Sequence, residues 1–369
     1  MRLVLTGGGT GGHIYPALAI GREAMEREPG TTLLYIGTKR GLESRLVPAQ
    51  GLRFESVDIT GFRRSLSLEN VRTIVRFLKA VRRSKQLLRE FKPDAVVGTG
   101  GYVCGPVVYA ASRLGIPTLI HEQNVVPGLT NKFLSRYAGA VAVSFADSLP
   151  HFAGRPNVKF AGNPVATAVA KADAGQGFAS LGLPAGTPFV LAVGGSRGAQ
   201  AVNDAVLAML PGLADLEGVH LVFVTGDRYF QDASARLREL PPRLAGRVHA
   251  LPYVHNMPEV LAASSLVVSR AGASSLAEIT SLGVPSILVP SPNVTGNHQQ
   301  PNAESLAAAG AAEMVLERDL SGERLLALVA AIMRDPARRE RMAQASRRLG
   351  KPDAATAVYE QLRGIIRQS

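Results

Sequence analysis

The segment Gly7–His13 is the first place in the sequence where residue type and spacing point to a chemical role. It contains five glycines, directly follows the apolar run Leu3–Thr6 and precedes a helical pattern. Glycines let backbone N–H groups approach a ligand closely, and the N-terminus of a helix attracts negative charge. We therefore expect the loop to face a phosphate or diphosphate; a tight turn without a ligand is the alternative.

Two familiar phosphate-binding motifs do not fit this loop. A nicotinamide-binding domain carries an acidic residue at the end of its second strand, whereas the matching residues here, Leu34–Gly37, include none. A P-loop continues from its last glycine into Lys and then Ser or Thr, whereas His13 follows the last glycine here. The loop therefore predicts anion binding of another kind.

A second glycine loop, Gly194–Gly198, also lies between a predicted strand and a predicted helix, and the same physics makes it an anion site. It also matches the G-x-S-x-G nucleophile elbow of α/β-hydrolases, with Ser196 as nucleophile. Asp227 and either His255 or His298 follow in the order that such a triad requires. This alternative leaves the N-terminal glycine loop unexplained and begins its sheet at mid-chain.

A third motif runs from Arg270 to Glu278. Gly272 and the small residues after it open a predicted helix, so its first N–H groups can meet phosphate. Glu278 lies about one and a half turns into that helix, where a carboxylate can accept both hydroxyls of a ribose. An exposed helix carboxylate without a ligand is the alternative for Glu278.

Two clusters of polar residues could also contact a ligand. The amides of Asn297–Asn302 offer both donors and acceptors, as sugar hydroxyls require. The segment His121–Asn124 ends a predicted strand, and the carboxyl ends of parallel strands lie on the ligand side of a sheet. A lone histidine such as His121 is more often a structural residue whose hydrogen bonds are satisfied.

The segment 61–92 is strongly basic, with ten basic residues against two acidic ones and a net charge of +8. A basic helix with an apolar stripe is typical of a surface that binds anionic lipid, and a core-facing stripe with a solvated basic face is the alternative. The apolar residues that share helical spacing are Val71, Ile74, Val75, Leu78 and Val81.

Strand and helix patterns alternate along the whole chain, which predicts parallel sheets covered on both faces. The pattern restarts near residue 189, so we expect two doubly wound α/β domains with a ligand cleft between the carboxyl ends of their sheets. The predicted strands are Leu3–Thr6, Thr32–Ile36, Phe54–Ile59, Ala95–Val97, Thr118–His121, Ala140–Val143, Phe189–Val193, His220–Val224, Val248–Leu251, Leu266–Ser269 and Ser286–Val289. The main predicted helices are Pro16–Arg27, Glu69–Glu90 and Gly128–Arg136, with a C-terminal helical region broken near Pro352.

Composition narrows the partners of this 369-residue chain. Its net charge of +12 favours an anionic partner, but aromatic residues make up only 5% and Trp is absent, which argues against stacking on single-stranded nucleic acid. Cys104 is the single cysteine, so an internal disulfide cannot form. The uncharged run Ala95–Ser112 is interrupted by glycines and Pro106, which predicts a strand, a loop and a buried helix rather than a membrane span.

Taken together, the motifs resemble the MurG family of peptidoglycan synthesis, the UDP-N-acetylglucosamine transferases that make lipid II from lipid I. No single motif is decisive, but their order and spacing cover essentially the whole chain. The motifs that carry the resemblance are Gly8–His13, Gly100–Val103, His121–Asn124, Gly162–Val165, Gly194–Ala199 and His298–Gln299.

The resemblance implies the GT-B fold, in which two Rossmann-like doubly wound domains face a central cleft. It places an acceptor and membrane-facing domain at residues 1–163 and a donor domain at 164–344, with the C-terminal helix, about 345–369, packing back on the first domain. It implies an inverting transfer of N-acetylglucosamine to the C4 hydroxyl of undecaprenyl-diphospho-N-acetylmuramoyl-pentapeptide. Such an enzyme is peripheral, on the cytoplasmic face of the cell membrane, and has no nucleic-acid partner.

Site residues follow from the same resemblance, motif by motif. Ser196 and the region of Ser275 contact the donor diphosphate, Val254 the uracil, and Glu278 the ribose. The full donor set is Thr10, Gly11, Gly12, Asn124, Ser196, Val254, Ser275, Leu276, Glu278, Gln299 and Gln300. The acceptor diphosphate falls to Gly9, Gly100, Gly101 and Tyr102.

Inversion needs one general base, and His13 is our first assignment because histidine titrates near neutral pH; Glu122 is the second. The family often carries Arg where Ala166 stands, so Arg197 or Arg270 would have to replace that contact to the donor. No cofactor is expected: the sequence has no Asp-x-Asp pair and no His/Cys cluster, so a divalent cation is compatible with it but not indicated.

Overall fold

The computed structural model of the chain describes residues 1–60, 68–195, 198–244 and 246–367, with no side chains for 68–72. The predicted donor residue Ser196, the neighbouring Arg197 and the start of the basic segment therefore lie outside the described residues. The chain divides into two compact units. One contains Met1–Thr167 and the C-terminal segment from Asp353 onward, and the other contains Ala168–Pro352.

The first unit is built on a parallel sheet in the order β3-β2-β1-β4-β5-β6-β7. Its strands are short apolar runs because both faces of the sheet are covered by helices. They are β1 (Arg2–Thr6), β2 (Thr32–Gly37), β3 (Arg53–Ser56), β4 (Ala95–Gly98), β5 (Thr118–Glu122), β6 (Ala140–Val143) and β7 (Val158–Phe160). The helices between them are α1 (Gly11–Arg27), α2 (Glu43–Leu46), α3 (Leu68–Phe91), α4 (Cys104–Ser112), α5 (Leu129–Leu134) and α6 (Ala166–Val169).

The second unit repeats the plan with a parallel sheet in the order β10-β9-β8-β11-β12-β13. Its strands are β8 (Phe189–Val193), β9 (His220–Val224), β10 (Val248–Leu251), β11 (Leu266–Ser269), β12 (Ser286–Leu288) and β13 (Ala312–Met314). Its helices are α7 (Ala174–Ser180), α8 (Gln200–Leu213), α9 (Asp227–Leu237), α10 (Met257–Ala263), α11 (Ala273–Leu282), α12 (Gln299–Ala308), α13 (Gly322–Met333) and α14 (Pro336–Leu349). Short 3-10 helices occur at Pro48–Gln50, Ala146–Phe152, Pro242–Leu244, Thr295–Asn297 and Glu317–Asp319.

The last helix, α15 (Ala354–Ile366), belongs to the first unit. Its Val358 and Leu362 are fully buried in the same core cluster as Leu3 and Leu5 of β1. At its rim, the Tyr359 hydroxyl donates to Glu28 at 2.7 Å. Of the segment 345–369 that we assigned to the first domain, only the part from Asp353 onward belongs there, because α14 belongs to the second unit.

The chain reverses its direction of travel across each sheet at one switch point, between β1 and β4 in the first unit and between β8 and β11 in the second. Ligands of doubly wound sheets bind beyond the carboxyl ends of the strands at such a point. The loops that leave these four strands contain glycine: Gly7–Thr10, Thr99–Val103, Gly194–Ala199 and Arg270–Gly272. The architecture therefore brings predicted motifs to the carboxyl edge of each sheet.

Several element boundaries differ from the sequence-based ones. The first helix begins at Gly11 rather than Pro16, because Thr10 is extended and the glycines already have helical geometry. The strand predicted at Phe54–Ile59 is Arg53–Ser56, and β7 and β13 were missed because they are three-residue strands at sheet edges. The run Ala95–Ser112 forms β4, a glycine loop and α4, and no helix within the described ranges is long and apolar enough to cross a membrane.

The packing of α15 gives a stability prediction. Leu362→Ala removes a fully buried side chain and is expected to lower the free energy of unfolding of the first unit by about 2–5 kcal/mol. The matched change Gly364→Ala on the same helix adds a methyl group in open space and is expected to raise it by up to about 1 kcal/mol. Urea titrations of the full chain measure both; equal effects of the two changes would contradict the docking of α15.

Candidate active site

The two glycine loops at the carboxyl ends of β1 and β4 are in direct backbone contact. The N–H of Gly8 donates to the carbonyl of Gly100 at 3.2 Å. Gly100 and Gly101 have φ angles of +106° and +84°, and a Cβ on Gly101 would lie 2.4 Å from the Gly8 carbonyl oxygen. Only glycine allows this approach, because any side chain at 101 would meet backbone that cannot move aside.

His13 lies on the first turn of α1 and is held by the same loop. Its Nδ1 is 2.9 Å from the Gly8 carbonyl oxygen and 3.4 Å from the Thr10 hydroxyl. A carbonyl oxygen can only accept, so Nδ1 carries the hydrogen and the lone pair of the neutral ring lies on Nε2. Thr99 fixes the backbone beneath the ring, since its hydroxyl donates to the His13 carbonyl at 2.6 Å. The loop therefore holds the ring in one orientation, with Nδ1 turned toward the Gly8 carbonyl.

Of the predicted acceptor and donor groups of the first unit, residues 9–12 directly precede His13, and Gly100 lies beside its ring. Gly9, Thr10 and Gly12 are exposed, and Gly11 is half-buried. The first turn of α1 contains no acidic residue, and the first N–H groups of a helix have no partner within it, so this helix start suits an anion. Tyr102, with 58% of its surface exposed, follows Gly101 directly and precedes α4.

Glu122, the second base assignment, is buried at the end of β5 and already holds a loop. Its carboxylate accepts the backbone N–H of Asn124 at 2.9 Å and that of Gly128 at 3.1 Å. It also accepts the side-chain amides of Asn131 at 2.8 Å and of Asn124 at 3.3 Å. These bonds use the acceptor positions of both oxygens, so Glu122 anchors the segment that follows β5. The choice between His13 and Glu122 as the base stays a prediction.

His121 has the structural character that we considered for it. The ring is fully buried, its Nε2 donates to the Gly162 carbonyl at 2.9 Å, and its Nδ1 accepts from Gln123 at 3.0 Å. Burial lowers the pKa of this imidazole to about 4. The ring is therefore neutral near pH 7 and links the Gly162 turn to β5.

The second unit has a cavity of about 790 Å³ at the carboxyl ends of β8 and β11. Its lining combines backbone of the glycine loops with polar side chains of later elements. The predicted donor residues Ser275 and Gln299 are among the lining residues, together with Gly194, Gly195, Gly198 and Gly272. Gly198 must be glycine, because a Cβ there would lie 2.1 Å from the Thr225 carbonyl oxygen. A cavity of this volume accommodates a ligand of nucleotide-sugar size.

Helix α11 begins at this cavity. Gly272 is its N-cap, no side chain caps it, and Ser275 on its first turn lines the cavity. Glu278 lies further along the same helix, and burial raises the pKa of its carboxyl to about 7. Leu276 differs from the others: its side chain is 1% exposed and its N–H donates to the Gly272 carbonyl at 3.0 Å, so it packs the helix against the core.

Of the remaining predicted donor residues, Gln299 lines the cavity, whereas Gln300 and Val254 do not. Gln299 lines it, with its Oε1 accepting the Ser291 N–H at 2.9 Å. The Gln300 amide is engaged by neighbours in sequence, since it accepts from Asn297 at 2.9 Å and donates to Glu304 of the same helix at 2.8 Å. Val254 is buried in the loop after β10 and does not line the cavity.

Arg270, which we considered as a replacement for the cation missing at Ala166, is engaged within the second unit. Its guanidinium pairs with the Glu317 carboxylate and donates to the Val289 carbonyl at 3.1 Å. Its side chain is mostly buried at 14% exposure. Although Arg270 lines the cavity, these bonds make it part of the wall.

Family models and related proteins identify this arrangement. The model of the glycosyltransferase family 28 N-terminal domain matches residues 3–143, and that of the family 28 C-terminal domain matches residues 189–358. The chain is a member of glycosyltransferase family 28. It is 49% identical over 367 residues, and 100% of both chains, to a Listeria monocytogenes protein named UDP-N-acetylglucosamine--N-acetylmuramyl-(pentapeptide) pyrophosphoryl-undecaprenol N-acetylglucosamine transferase.

Two further comparisons agree with this membership. A Halalkalibacterium halodurans protein of the same name is 50% identical over 359 residues, covering 97% of this chain and 98% of its own. The crystal structure of Acinetobacter baumannii MurG matches with a TM-score of 0.79 at 30% identity, covering 98% of this chain and 99% of that one. The GT-B architecture expected for this family is confirmed, and the α/β-hydrolase alternative has no support, since both halves match glycosyltransferase domains.

Each unit thus contributes its own cluster of predicted residues, and the sequence analysis missed several of their neighbours. Thr99, Asn131 and Glu317 orient His13, Glu122 and Arg270, yet none lies in a motif that we had read as functional. Partners of this kind come from distant segments and have no spacing that marks them. Across the described ranges, no three His, Cys, Asp or Glu side chains lie together as metal ligands.

The hydrogen bonds of Glu122 predict a structural rather than a chemical phenotype. Glu122→Gln leaves at least one buried N–H donor facing another donor and is expected to cost about 1–3 kcal/mol of folding free energy. Glu26→Gln, on an exposed position of α1, serves as control and should leave the melting temperature unchanged. If Glu122→Gln melts like the native protein yet loses turnover, Glu122 is the base and this account of it is wrong.

Proposed function

We propose that the protein transfers N-acetylglucosamine from UDP-N-acetylglucosamine to the C4 hydroxyl of a lipid-linked, diphospho-N-acetylmuramoyl-pentapeptide acceptor. One observation carries the proposal: each unit has backbone suited to an anion at its switch point, and this reaction uses two diphosphates. The donor carries one and the lipid acceptor carries the other. The names of the curated relatives, which specify both substrates, support the same assignment.

The second unit is the proposed donor site. The diphosphate of the donor binds the N–H groups at the start of α11 and in the loop before α8, which lie on the cavity. Glu278 accepts the ribose hydroxyls, and Gln299 contacts the sugar. As the bond to the sugar breaks, negative charge grows on the departing UDP, and fixed N–H dipoles stabilise it without rearrangement.

The first unit supplies the base and the acceptor contacts. Nε2 of His13 takes the proton of the C4 hydroxyl, whose oxygen forms a bond to the anomeric carbon of the donor sugar. The bond between that carbon and the phosphate oxygen breaks, and its electron pair leaves with UDP. A single displacement of this kind inverts the anomeric configuration. Gly9, Gly100, Gly101 and Tyr102 are the proposed contacts of the acceptor diphosphate.

A patch on α3 supports the proposed location at the cytoplasmic membrane surface. The patch consists of Ile74, Val75 and Leu78, which expose 50%, 47% and 61% of their surface. The apolar stripe predicted from sequence is thus divided, because Val81 further along is buried in the core. The patch is surrounded on α3 by exposed cations, Arg76, Lys79 and Arg82. Exposed apolar groups beside cations fit an anionic lipid surface.

The helix that carries the patch packs against α4, the helix that follows the proposed acceptor contacts Gly101 and Tyr102. Phe77 of α3 and Thr130 of α5 both lie within 4 Å of the position a Cβ would take on Gly105, in the first turn of α4. Helix α4 follows directly on Gly101 and Tyr102. A lipid acceptor has its diphosphate at the membrane surface, so a membrane patch in the same unit as the proposed acceptor contacts fits such a substrate. That no cofactor is required stays a prediction.

Removing the imidazole tests the proposed base. His13→Ala is expected to lower kcat by about 10²–10⁴-fold, the contribution of a positioned general base, while the Kd for UDP-N-acetylglucosamine changes by less than about twofold. Transfer to a lipid-linked muramoyl-pentapeptide measures the first quantity and calorimetry the second. The control His151→Ala changes an exposed histidine of the same unit and should leave both values unaltered. Native turnover in His13→Ala would refute the assignment.

The raised pKa of Glu278 predicts how donor binding depends on pH. The carboxyl of the free protein is largely protonated below its pKa of about 7 and ionised above it. Ribose hydroxyls donate best to the ionised form, so affinity for UDP-N-acetylglucosamine should rise with pH, by at most about tenfold per unit below pH 7. Glu278→Gln should bind more weakly and without this pH dependence, whereas Glu259→Gln should retain it. A pH-independent Kd in the native protein would contradict the assignment.

The membrane patch is tested with vesicles. Leu78→Glu places a carboxylate in the patch and is expected to reduce binding to phosphatidylglycerol-containing vesicles by about tenfold or more, because apolar burial and attraction to anionic lipid are both weakened. Met25→Glu makes the same kind of change at an exposed apolar position of α1 and should bind like the native protein. Equal losses in the two variants would show that the patch is not the membrane contact.

A further inference from the structure

The carboxylate of Glu43 is fully buried beside the first glycine loop, at the start of α2. One oxygen accepts the N–H of Gly9 at 3.1 Å, and the other accepts the N–H and the hydroxyl of Thr38 at 3.0 Å and 2.7 Å. All three partners donate, which matches the ionised carboxylate. Among the described residues no cation pairs with it. A buried charge without a counter-ion is costly, so its retention needs a reason.

The surroundings of Glu43 are built to admit it. A Cβ on Gly8, Gly37 or Gly41 would lie 2.7, 2.6 or 2.2 Å from an atom of the Glu43 side chain. These glycines come from the loop after β1, the end of β2 and the loop before α2. Three separate segments therefore lack side chains where the side chain of Glu43 is placed.

One peptide group connects this carboxylate to the base. The N–H of Gly9 and the carbonyl of Gly8 belong to the same peptide unit, which is planar and trans, so they point in opposite directions. Glu43 accepts from the N–H side at 3.1 Å, and His13 Nδ1 lies 2.9 Å from the carbonyl oxygen on the other side. Hydrogen bonds in such a chain polarise one another.

We propose that Glu43 is a positioning residue for the base, acting through the Gly8–Gly9 peptide. Its charge draws on the Gly9 N–H and makes the Gly8 carbonyl a stronger acceptor, which holds His13 in the Nδ1–H form. The same charge stabilises the imidazolium that forms when Nε2 takes the proton of the acceptor hydroxyl. The arrangement performs the task of the aspartate in a Ser-His-Asp triad, with a peptide group between acid and imidazole. The inference rests on the proposed function, in which His13 is the base.

Two other titratable side chains near the loop do not supply this charge. Tyr35 donates its hydroxyl to the Gly7 carbonyl at 2.6 Å, and burial raises the pKa of this phenol well above its usual value. Burial also raises the pKa of the Cys104 thiol to about 12. Both groups are therefore neutral near pH 7.

Kinetics and calorimetry of three variants test the proposal. Glu43→Gln keeps the volume but removes the charge, and is expected to lower kcat about ten- to a hundredfold, a part of what a general base contributes. The KM for the lipid acceptor and the Kd for UDP-N-acetylglucosamine should stay within about twofold of the native values. Thr38→Val is the matched control, because it removes one hydrogen bond to the same carboxylate but leaves the charge and the Gly9 contact; its kcat should fall by less than about threefold. His13→Ala gives the reference for complete loss of the base.

A spectroscopic measurement on the native protein tests the proposal even if the Glu43 variant does not fold. Nitrogen NMR of ¹⁵N-histidine protein distinguishes the two neutral tautomers, and the signal absent from His13→Ala identifies His13. The proposal requires the Nδ1–H form in the native protein and in Thr38→Val, with a shift toward the Nε2–H form in Glu43→Gln. A native Nε2–H tautomer overturns it, even if Glu43→Gln cannot be purified.

The outcomes distinguish a failure of the positioning role of Glu43 from a failure of the proposed function on which it rests. If His13→Ala is inactive while Glu43→Gln retains native kcat and tautomer, the role of Glu43 is refuted and the proposed function stands. Equal losses of kcat in Glu43→Gln and Thr38→Val also refute that role, since loss of packing then explains both. If His13→Ala retains turnover, the assignment of the base fails, and the catalytic role of Glu43 fails with it.

Discussion

The close approach of two backbone segments without side chains is the constraint on which the first unit depends. Gly8 and Gly101 meet so closely that a single Cβ would separate the loops after β1 and β4. That contact orients the Gly8 carbonyl toward His13 and keeps the N–H groups at the start of α1 exposed. A side chain at either glycine would therefore disturb the base and the proposed acceptor site together.

The second unit has the same strand topology around its switch point, but its glycine loop approaches a different backbone segment. There the glycine loop after β8 approaches the Thr225 carbonyl at the end of β9, and the start of α11 supplies a second set of N–H groups. The proposed donor site has to hold a nucleobase, a ribose and a sugar. The proposed acceptor site has to offer a general base and an exposed loop. The cavity lies in the second unit and the imidazole held by a glycine loop lies in the first, which agrees with these two proposed sites.

Both sheets could be predicted from sequence because strands covered on two faces are short apolar runs, and glycine loops mark their carboxyl ends. The same patterns located the two glycine loops. His13 was selected as the candidate base because it lies where the first loop passes into a helix. Three-residue edge strands such as β7 carry too few residues for a pattern. The burial of Leu276 and the loop anchored by Glu122 depend on tertiary contacts that spacing does not encode. The local hydrogen bonds of Gln300 depend on side-chain orientations that spacing does not encode either. Glu43 was missed because we looked for an acidic residue at the end of the second strand. It lies six residues beyond Gly37, and its side chain reaches back to the first glycine loop.

The central claim is that bare backbone N–H groups at the carboxyl edge of the second sheet receive the donor diphosphate. A crystal structure of the protein with UDP-N-acetylglucosamine tests it most directly. The account predicts phosphate oxygens within about 3.2 Å of N–H groups at the start of α11 or in the loop before α8, with the ribose at Glu278. A nucleotide bound away from both segments, with this edge of the sheet empty, would contradict it.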